Sequence, residues 1–206
     1  MHKTLLNEII RIKALAETGL VYNQSGYDKD RYEELHAISL RLLNSISNHS
    51  IDNLTVNFPL SKDYPTVKTD IRCFIYSPEK GVLLVQESAD QKWSLPGGWA
   101  DIGESPKEVA IKESREETGL EVVPKQLLAV FDKKMHPHPP QPFYVYKLVI
   151  FCEPVSTELN KGFDVLDVGY FQIDNLPPLS EDRILKSQIE LLQRKIAAND
   201  FTTYFD

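Results

Sequence analysis

Cysteine is scarce in this chain: 206 residues hold two, Cys73 and Cys152, 79 positions apart. That spacing builds neither a disulfide framework nor a paired metal knuckle. Each cysteine lies in an apolar, β-branched stretch, so both read as buried reduced thiols. Long apolar runs are missing as well. Leu148 to Cys152, the longest near the end of the expected core, falls far short of the roughly 20 residues that cross a bilayer. The start, Met1-His2-Lys3-Thr4-Leu5-Leu6-Asn7-Glu8, puts a carboxylate where a signal peptide carries its apolar stretch. A cytoplasmic location without a membrane partner is therefore expected. Basic residues are outnumbered, 23 Lys and Arg against 30 Asp and Glu for a net charge of −7, which argues against double-stranded DNA held by long-range attraction to phosphate. No internal repeat is found. What remains is 42% hydrophobic and 26% charged, the balance of a globular protein with a real core. At about 150 residues per domain, the length exceeds one minimal domain and falls short of two large ones. Acidic enzymes that act on phosphates usually recruit a divalent cation first, so the local sequence must show where one could sit.

The first half-hundred residues carry helical spacing. Leu5, Ile9, Ile12, Leu15 and Ala16 recur at intervals of three and four, and Gly19 is expected to stop that helix. After a turn-rich Tyr22 to Asp28, a second helix should begin near Asp28 or Asp30 and carry Leu35, Ile38, Leu42, Leu43 and Ile46 on one face. Two such stripes make a marginal core by themselves, so the pair needs another surface, from this chain or a second copy. From Val67 the period becomes strand-like. Strands are expected at Val67 to Tyr76, Val82 to Glu87, Leu127 to Lys133, Phe143 to Glu153 and Val168 to Phe171, followed by a terminal helix with Ser180 as its N-cap. Strands interleaved with a few helices predict an α/β layer fold. The Pro-rich segment from Met135 to Pro142 reads as a stiff loop between two strands.

One segment concentrates the chemistry, Gly97-Gly98-Trp99-Ala100-Asp101-Ile102-Gly103-Glu104-Ser105-Pro106 and onward to Leu120. Ser105 with Glu108 three residues later is a capping box, Pro106 falls at the first helical position, and Gly119 closes the helix. At about 100° per residue, Glu113, Glu116 and Glu117 fall near 0°, −60° and +40° on the helix. Like charges so spaced repel by roughly 0.2–0.5 kcal/mol per exposed pair, which a cation would relieve. Most Glu runs are solvated helix faces. Here the carboxylates follow a Leu95-Pro96-Gly97-Gly98 turn, whose glycines allow close approach of backbone carbonyls, and hard oxygen donors suit Mg²⁺ or Mn²⁺.

The stretch resembles the Nudix box, G-x5-E-x7-R-E-U-x-E-E-x-G-U, where U is aliphatic. Gly98, Glu104, Glu113, Glu116, Glu117, Gly119 and Leu120 keep seven of its nine fixed positions. Lys112 replaces the arginine, keeping the charge without the bidentate fork, and Ser114 replaces an aliphatic residue. The approach Lys92 to Trp99 and the region Asp174 to Ser180 are also similar to the family. The helical start resembles the accessory domain that precedes the Nudix fold in a bacterial subgroup containing CDP-choline and ADP-ribose pyrophosphatases. The resemblance implies a Nudix α-β-α sandwich with a mixed sheet over residues 66–206. Residues 1–58 would be a small helical accessory domain that dimerises or covers the substrate.

By the same resemblance, the chain would hydrolyse the diphosphate of a nucleoside diphosphate linked to a moiety X, such as CDP-choline or ADP-ribose, with Mg²⁺ or Mn²⁺. Glu113 and Glu117 would ligate the metal with the Gly98 carbonyl, or that of Gly97. Glu116 would be a further ligand or the base, and Glu104 and Lys112 would orient the others. Glu153, Asp164 and Asp167 stand as further candidates for the base. Arg72, His136, His138 and Trp99 are candidate substrate contacts, each with an ordinary structural alternative: an ion pair, solvated loop histidines, a core ring. A homodimer is expected from the accessory helices. Other readings keep the chemistry but act on nucleoside triphosphates or an RNA end, or reduce the fold to a nucleotide sensor. The intact glutamate trio favours the enzyme.

Overall fold

A computed structural model describes residues 2–23, 25–46, 55 and 63–206. The domain limit expected at residue 58 lies outside the described residues. The chain divides into two compact units, residues 1–67 with 140–143, and residues 68–139 with 144–206.

The first unit is built on α1 (His2–Tyr22) and α2 (Gly26–Ile46). Gly19 does not stop α1. The helix runs three residues further, and a Cβ at Gly19 would fall within the Tyr32 ring, so this glycine lets two helices approach closely. Asn23 closes α1 instead, its Nδ2 donating to the Leu20 carbonyl. The buried stripe also differs from expectation. Ile9 packs with Leu40 and Leu43, and Ile10 and Ala16 are buried as well, whereas Leu5, Ile12, Leu15, Leu35 and Leu42 stay exposed. Between the helices lies a buried carboxylate, Glu17, 2.6 Å from Lys13 and 3.5 Å from His36. The two helices thus spend part of their shared face on polar groups and leave an apolar face uncovered.

The second unit holds two sheets. The first has strand order β5 (Gly97–Trp99), β1 (Lys68–Phe74), β7 (Val145–Pro154), β6 (Val122–Asp132) and β9 (Tyr204–Phe205). It is mixed: β1 runs parallel to β7, and β6 antiparallel to it. The second sheet centres on β3 (Gly81–Glu87), which pairs with β2 (Tyr76–Ser77), β4 (Trp93–Ser94) and β8 (Val165–Phe171). Alternation along β1 sends Ile71 and Cys73 to one layer and Phe74 to the other. Ile71 and Cys73 pack with Val109 and Ala110 of α3 (Pro106–Thr118). Phe74 packs with Phe131, Val149 and Ile189, the last from α4 (Lys186–Ala197). A register shift between Leu127 and Ala129 turns the neighbours Leu128 and Ala129 into the same layer. Helices on both faces give the α-β-α sandwich. Cys73 and Cys152 are free and fully buried in the layer under α3.

Ser180 is not the N-cap of α4. Its carbonyl accepts from Arg183 and Ile184 in a preceding turn, and Gln188 supplies the cap by accepting from the Leu185 N–H at 3.1 Å. The Pro-rich loop does join two strands, β6 and β7, after a 3-10 turn at Lys133–Met135.

Candidate active site

The site begins with how α3 is fixed. Ser105 Oγ accepts from the Glu108 N–H, and Glu108 Oε2 accepts from the Ser105 N–H at 2.7 Å. At the other end Gly119 takes φ +75° and donates to the Arg115 carbonyl. Ser114 is fully buried and donates to the Leu120 carbonyl at 3.3 Å, so it ties the helix exit where an aliphatic residue would only pack. Lys112 reaches both Asp101 and Glu104 at 2.8 Å. Hydrogen bonds to Asp101 and then Glu104 hold its ammonium more firmly charged than an ordinary lysine, and they strap the loop before α3 onto the helix.

Glu113 and Glu117 face the Gly97-Gly98 turn. Glu117 Oε2 accepts from the Gly97 N–H at 2.8 Å. The Glu113 carboxylate lies so close to Gly98 that a Cβ there would stand 2.9 Å from Oε1. Gly97 has φ +142°, and a Cβ on it would meet the backbone of Ile71 and Arg72. Gly97 is therefore required by its positive φ and by the backbone it faces, whereas Gly98 faces only the movable end of the Glu113 side chain. Glu117 is 5% exposed, and burial pushes its carboxyl up to about 8 against the opposing pull of Arg72 and the Gly97 N–H. Burial likewise raises Glu113, opposed by Lys112 and reinforced by Glu116. Glu116 is exposed. The crowding of three carboxylates expected from helical angles does not produce a ready cage: among the described residues no group of three His, Cys, Asp or Glu is placed to hold a metal. Glu117 is turned inward onto a backbone donor, and Glu116 stays on the exposed side.

The remaining candidates separate. Arg72 is buried, with Nε 2.9 Å from Asp70 and Nη1 donating to the Leu95 carbonyl and Ser94 Oγ. Glu87 lies 3.6 Å away. Burial would discharge Arg72, but Asp70 and Glu87 outweigh it and raise its pKa. Of the two readings open at the sequence level, this geometry is that of the ion pair. His138 is buried and His136 half-buried, and both are paired: His136 Nε2 is 2.8 Å from Asp206, and His138 Nδ1 is 2.6 Å from the Glu181 carbonyl. Trp99 is half-exposed at the end of β5, with Lys68 over its ring. Glu153 pairs with Lys125, and Asp167, within β8, accepts from the Val168 N–H through its own Oδ1. Asp164 alone of the outlying acids bears on the site, raising the Glu113 pKa. Its loop is pinned to α3, with Asn160 and Gly162 donating to the carbonyls of Thr118 and Glu117.

Sequence reasoning missed Asp70, Lys147 and Glu87, which surround Arg72. A signal was present: Asp70 and Arg72 are two apart in a strand and so share a face, and Lys147 is a lone charge in an apolar run.

Residues 67–193 match the NUDIX domain model, and residues 3–58 match a model described as the UDP-X-like, N-terminal oligomerisation domain. A Bacillus subtilis (strain 168) protein, YjhB, whose name carries ADP-ribose pyrophosphatase as an unproven assignment, is 40% identical over 95% of this chain and 94% of its own. A crystal structure of a UDP-X diphosphatase superposes with a TM-score of 0.63 at 32% identity, covering 100% of this chain and 99% of that one. An ADP-ribose pyrophosphatase from Streptococcus suis gives a TM-score of 0.61 at 36% identity, covering 68% of this chain and all of its own.

Proposed function

The chain belongs to the Nudix hydrolase family and is a pyrophosphatase of that family; from that premise we propose that it cleaves a nucleoside diphosphate linked to X, such as ADP-ribose or CDP-choline, into a nucleoside monophosphate and phosphorylated X. The observation that carries this reading is the pair of carboxylates, buried Glu117 and half-buried Glu113, set against a turn with no side chains. Nudix hydrolases generally use divalent metal ions, and the residues here fit one. Every donor is a hard oxygen, and both carboxylates have raised pKa values that a cation would reverse. Glu113, Glu117 and the Gly98 carbonyl would hold Mg²⁺ or Mn²⁺, with Glu116 as a further ligand from the exposed side. Such an ion neutralises diphosphate charge and acidifies a bound water.

The chain's own residues supply the rest. The Lys112 strap with Glu104 and Asp101 fixes the loop over α3. Arg72 adds positive charge behind Glu117. Asp164, held by its pinned loop, is the acid we assign to receiving the water proton. The double substitution Glu116→Gln with Glu117→Gln should leave the protein folded and inactive. Activity within tenfold of the parent would sink the assignment. Incubation with a panel of nucleoside diphosphate derivatives and Mg²⁺ in ¹⁸O-water, read by mass spectrometry, identifies X and the attacked phosphorus.

The accessory helices are proposed to make the protein a homodimer. Their uncovered leucines and the oligomerisation model matched by residues 3–58 support this.

A further inference from the structure

Beside Arg72 lies a run of buried polar groups, Asp70, Lys147, Lys133 and His138, to which diphosphate cleavage gives no part. Asp70 and Lys147 are register partners on the parallel strands β1 and β7 and form a buried ion pair. Arg72 takes the other Asp70 oxygen, so that carboxylate is fully used. Two further groups are less well satisfied. Lys133, in the turn after β6, is more than nine-tenths buried. Its ion pair among the described residues is a long one, 3.5 Å to an Asp182 carboxylate that is 44% exposed. The ammonium thus lies just beneath the surface. His138 is 4% exposed. Its Nδ1 bonds a carbonyl, which only accepts, so the neutral ring carries its hydrogen there and Nε2 is an acceptor. That Nε2 is buried without a partner among the described residues. Burial holds the ring neutral, and Lys147 and Lys133 reinforce this.

A buried donor and a buried unpaired acceptor select among ligands. A phosphate or carboxylate would satisfy Lys133 but set its lone pairs against Nε2. A quaternary ammonium would face Lys133 and Lys147. A hydroxyl can donate to Nε2 and accept from Nζ, and a water held there would be displaced at little loss. Resting on the reading of the chain as a nucleoside diphosphate-X hydrolase, we propose that Lys133 and His138 form a subsite for the hydroxyls of a sugar at X. The polar chain Arg72, Asp70 and Lys147 joins this subsite to the carboxylates.

The test is steady-state kinetics on ADP-ribose and CDP-choline for the parent, Lys133→Met and His138→Asn. Asparagine keeps a donor for the Glu181 carbonyl and removes the ring acceptor. Leaving a substrate hydroxyl unpaired should raise the ratio of KM for ADP-ribose to KM for CDP-choline about tenfold or more, with kcat for ADP-ribose within about twofold of the parent. A ratio unchanged in both variants overturns the subsite, as does an equal rise for both substrates, which would place a shared ribose there. The unaltered protein gives a check independent of folding: ribose 5-phosphate should inhibit about tenfold better than its 2-deoxy analogue and than phosphocholine, and equal inhibition overturns the proposal. If the parent hydrolyses neither substrate with Mg²⁺ or Mn²⁺, the reading as a nucleoside diphosphate-X hydrolase fails, and the subsite fails with it.

Discussion

Glu117 is buried against a single backbone donor, and its carboxyl titrates near 8 against an ordinary 4.5. The folded chain therefore binds a proton there that the unfolded chain has released. Stability from this group is full below about 4.5 and is lost as pH rises toward 8. Glu117→Gln keeps the shape and the acceptor for the Gly97 N–H while removing the charge. In the presence of a chelator at pH 8, it should unfold later than the parent by on the order of 1–3 kcal/mol, and its hydrolysis should be lost. Urea titrations at pH 6 and pH 8 read the first effect, a metal-supplemented assay the second. His138 has the opposite sign. Its folded pKa, about 4, lies below the ordinary 6.5, so its contribution is full above 6.5 and is lost as pH falls toward 4. The stability advantage of the parent over His138→Gln should shrink by on the order of 2 kcal/mol between pH 7 and pH 4. A constant difference across that range would refute a buried neutral ring.

Elements set by local rules were legible, and those set by distant partners were not. Helix α3 was readable from Ser105, Pro106 and Gly119 because its caps are made by residues within four positions. The two-residue strand β9 had no signal of its own, since it exists by pairing with β6 from far back in the chain. The carboxylates of α3 were found for the same local reason. The ring of charge around Arg72 was not, because Asp70, Glu87 and Lys147 meet only when two sheets form. Gly19 shows the limit from another side. A glycine after a periodic run suggests a stop, but its meaning here comes from Tyr32 on the next helix. Gly19→Ala gains helix propensity worth about 1 kcal/mol and must push the Tyr32 ring aside, which typically costs 1–3 kcal/mol. The substitution should therefore destabilise, and adding Tyr32→Leu should recover part of the loss in thermal unfolding.

At the scale of the whole molecule, charge and apolar surface are both unevenly spread. Residues 97–121 hold seven acids against three bases, more than half of the net −7, and that excess is concentrated where a divalent cation would be bound. The apolar surplus sits on the helical unit, where Leu5, Ile12, Leu15, Leu35 and Leu42 are exposed. Burying such leucines is worth roughly 1.5–3 kcal/mol each, a strong incentive for self-association. Sedimentation at micromolar concentration should therefore show a dimer, and Leu15→Glu with Leu42→Glu a folded monomer. A parent chain that sediments as a monomer would refute the dimer.

The two sulfurs under α3 have a practical consequence. Cys73 and Cys152 are fully shielded, and contact with Cys152 followed by burial raises the Cys73 pKa. A thiol reagent in solution can reach either one only after the layer beneath α3 opens. The rate at which such a reagent labels the native protein is therefore a clock for that opening, supplied by the chain itself at the layer that supports α3.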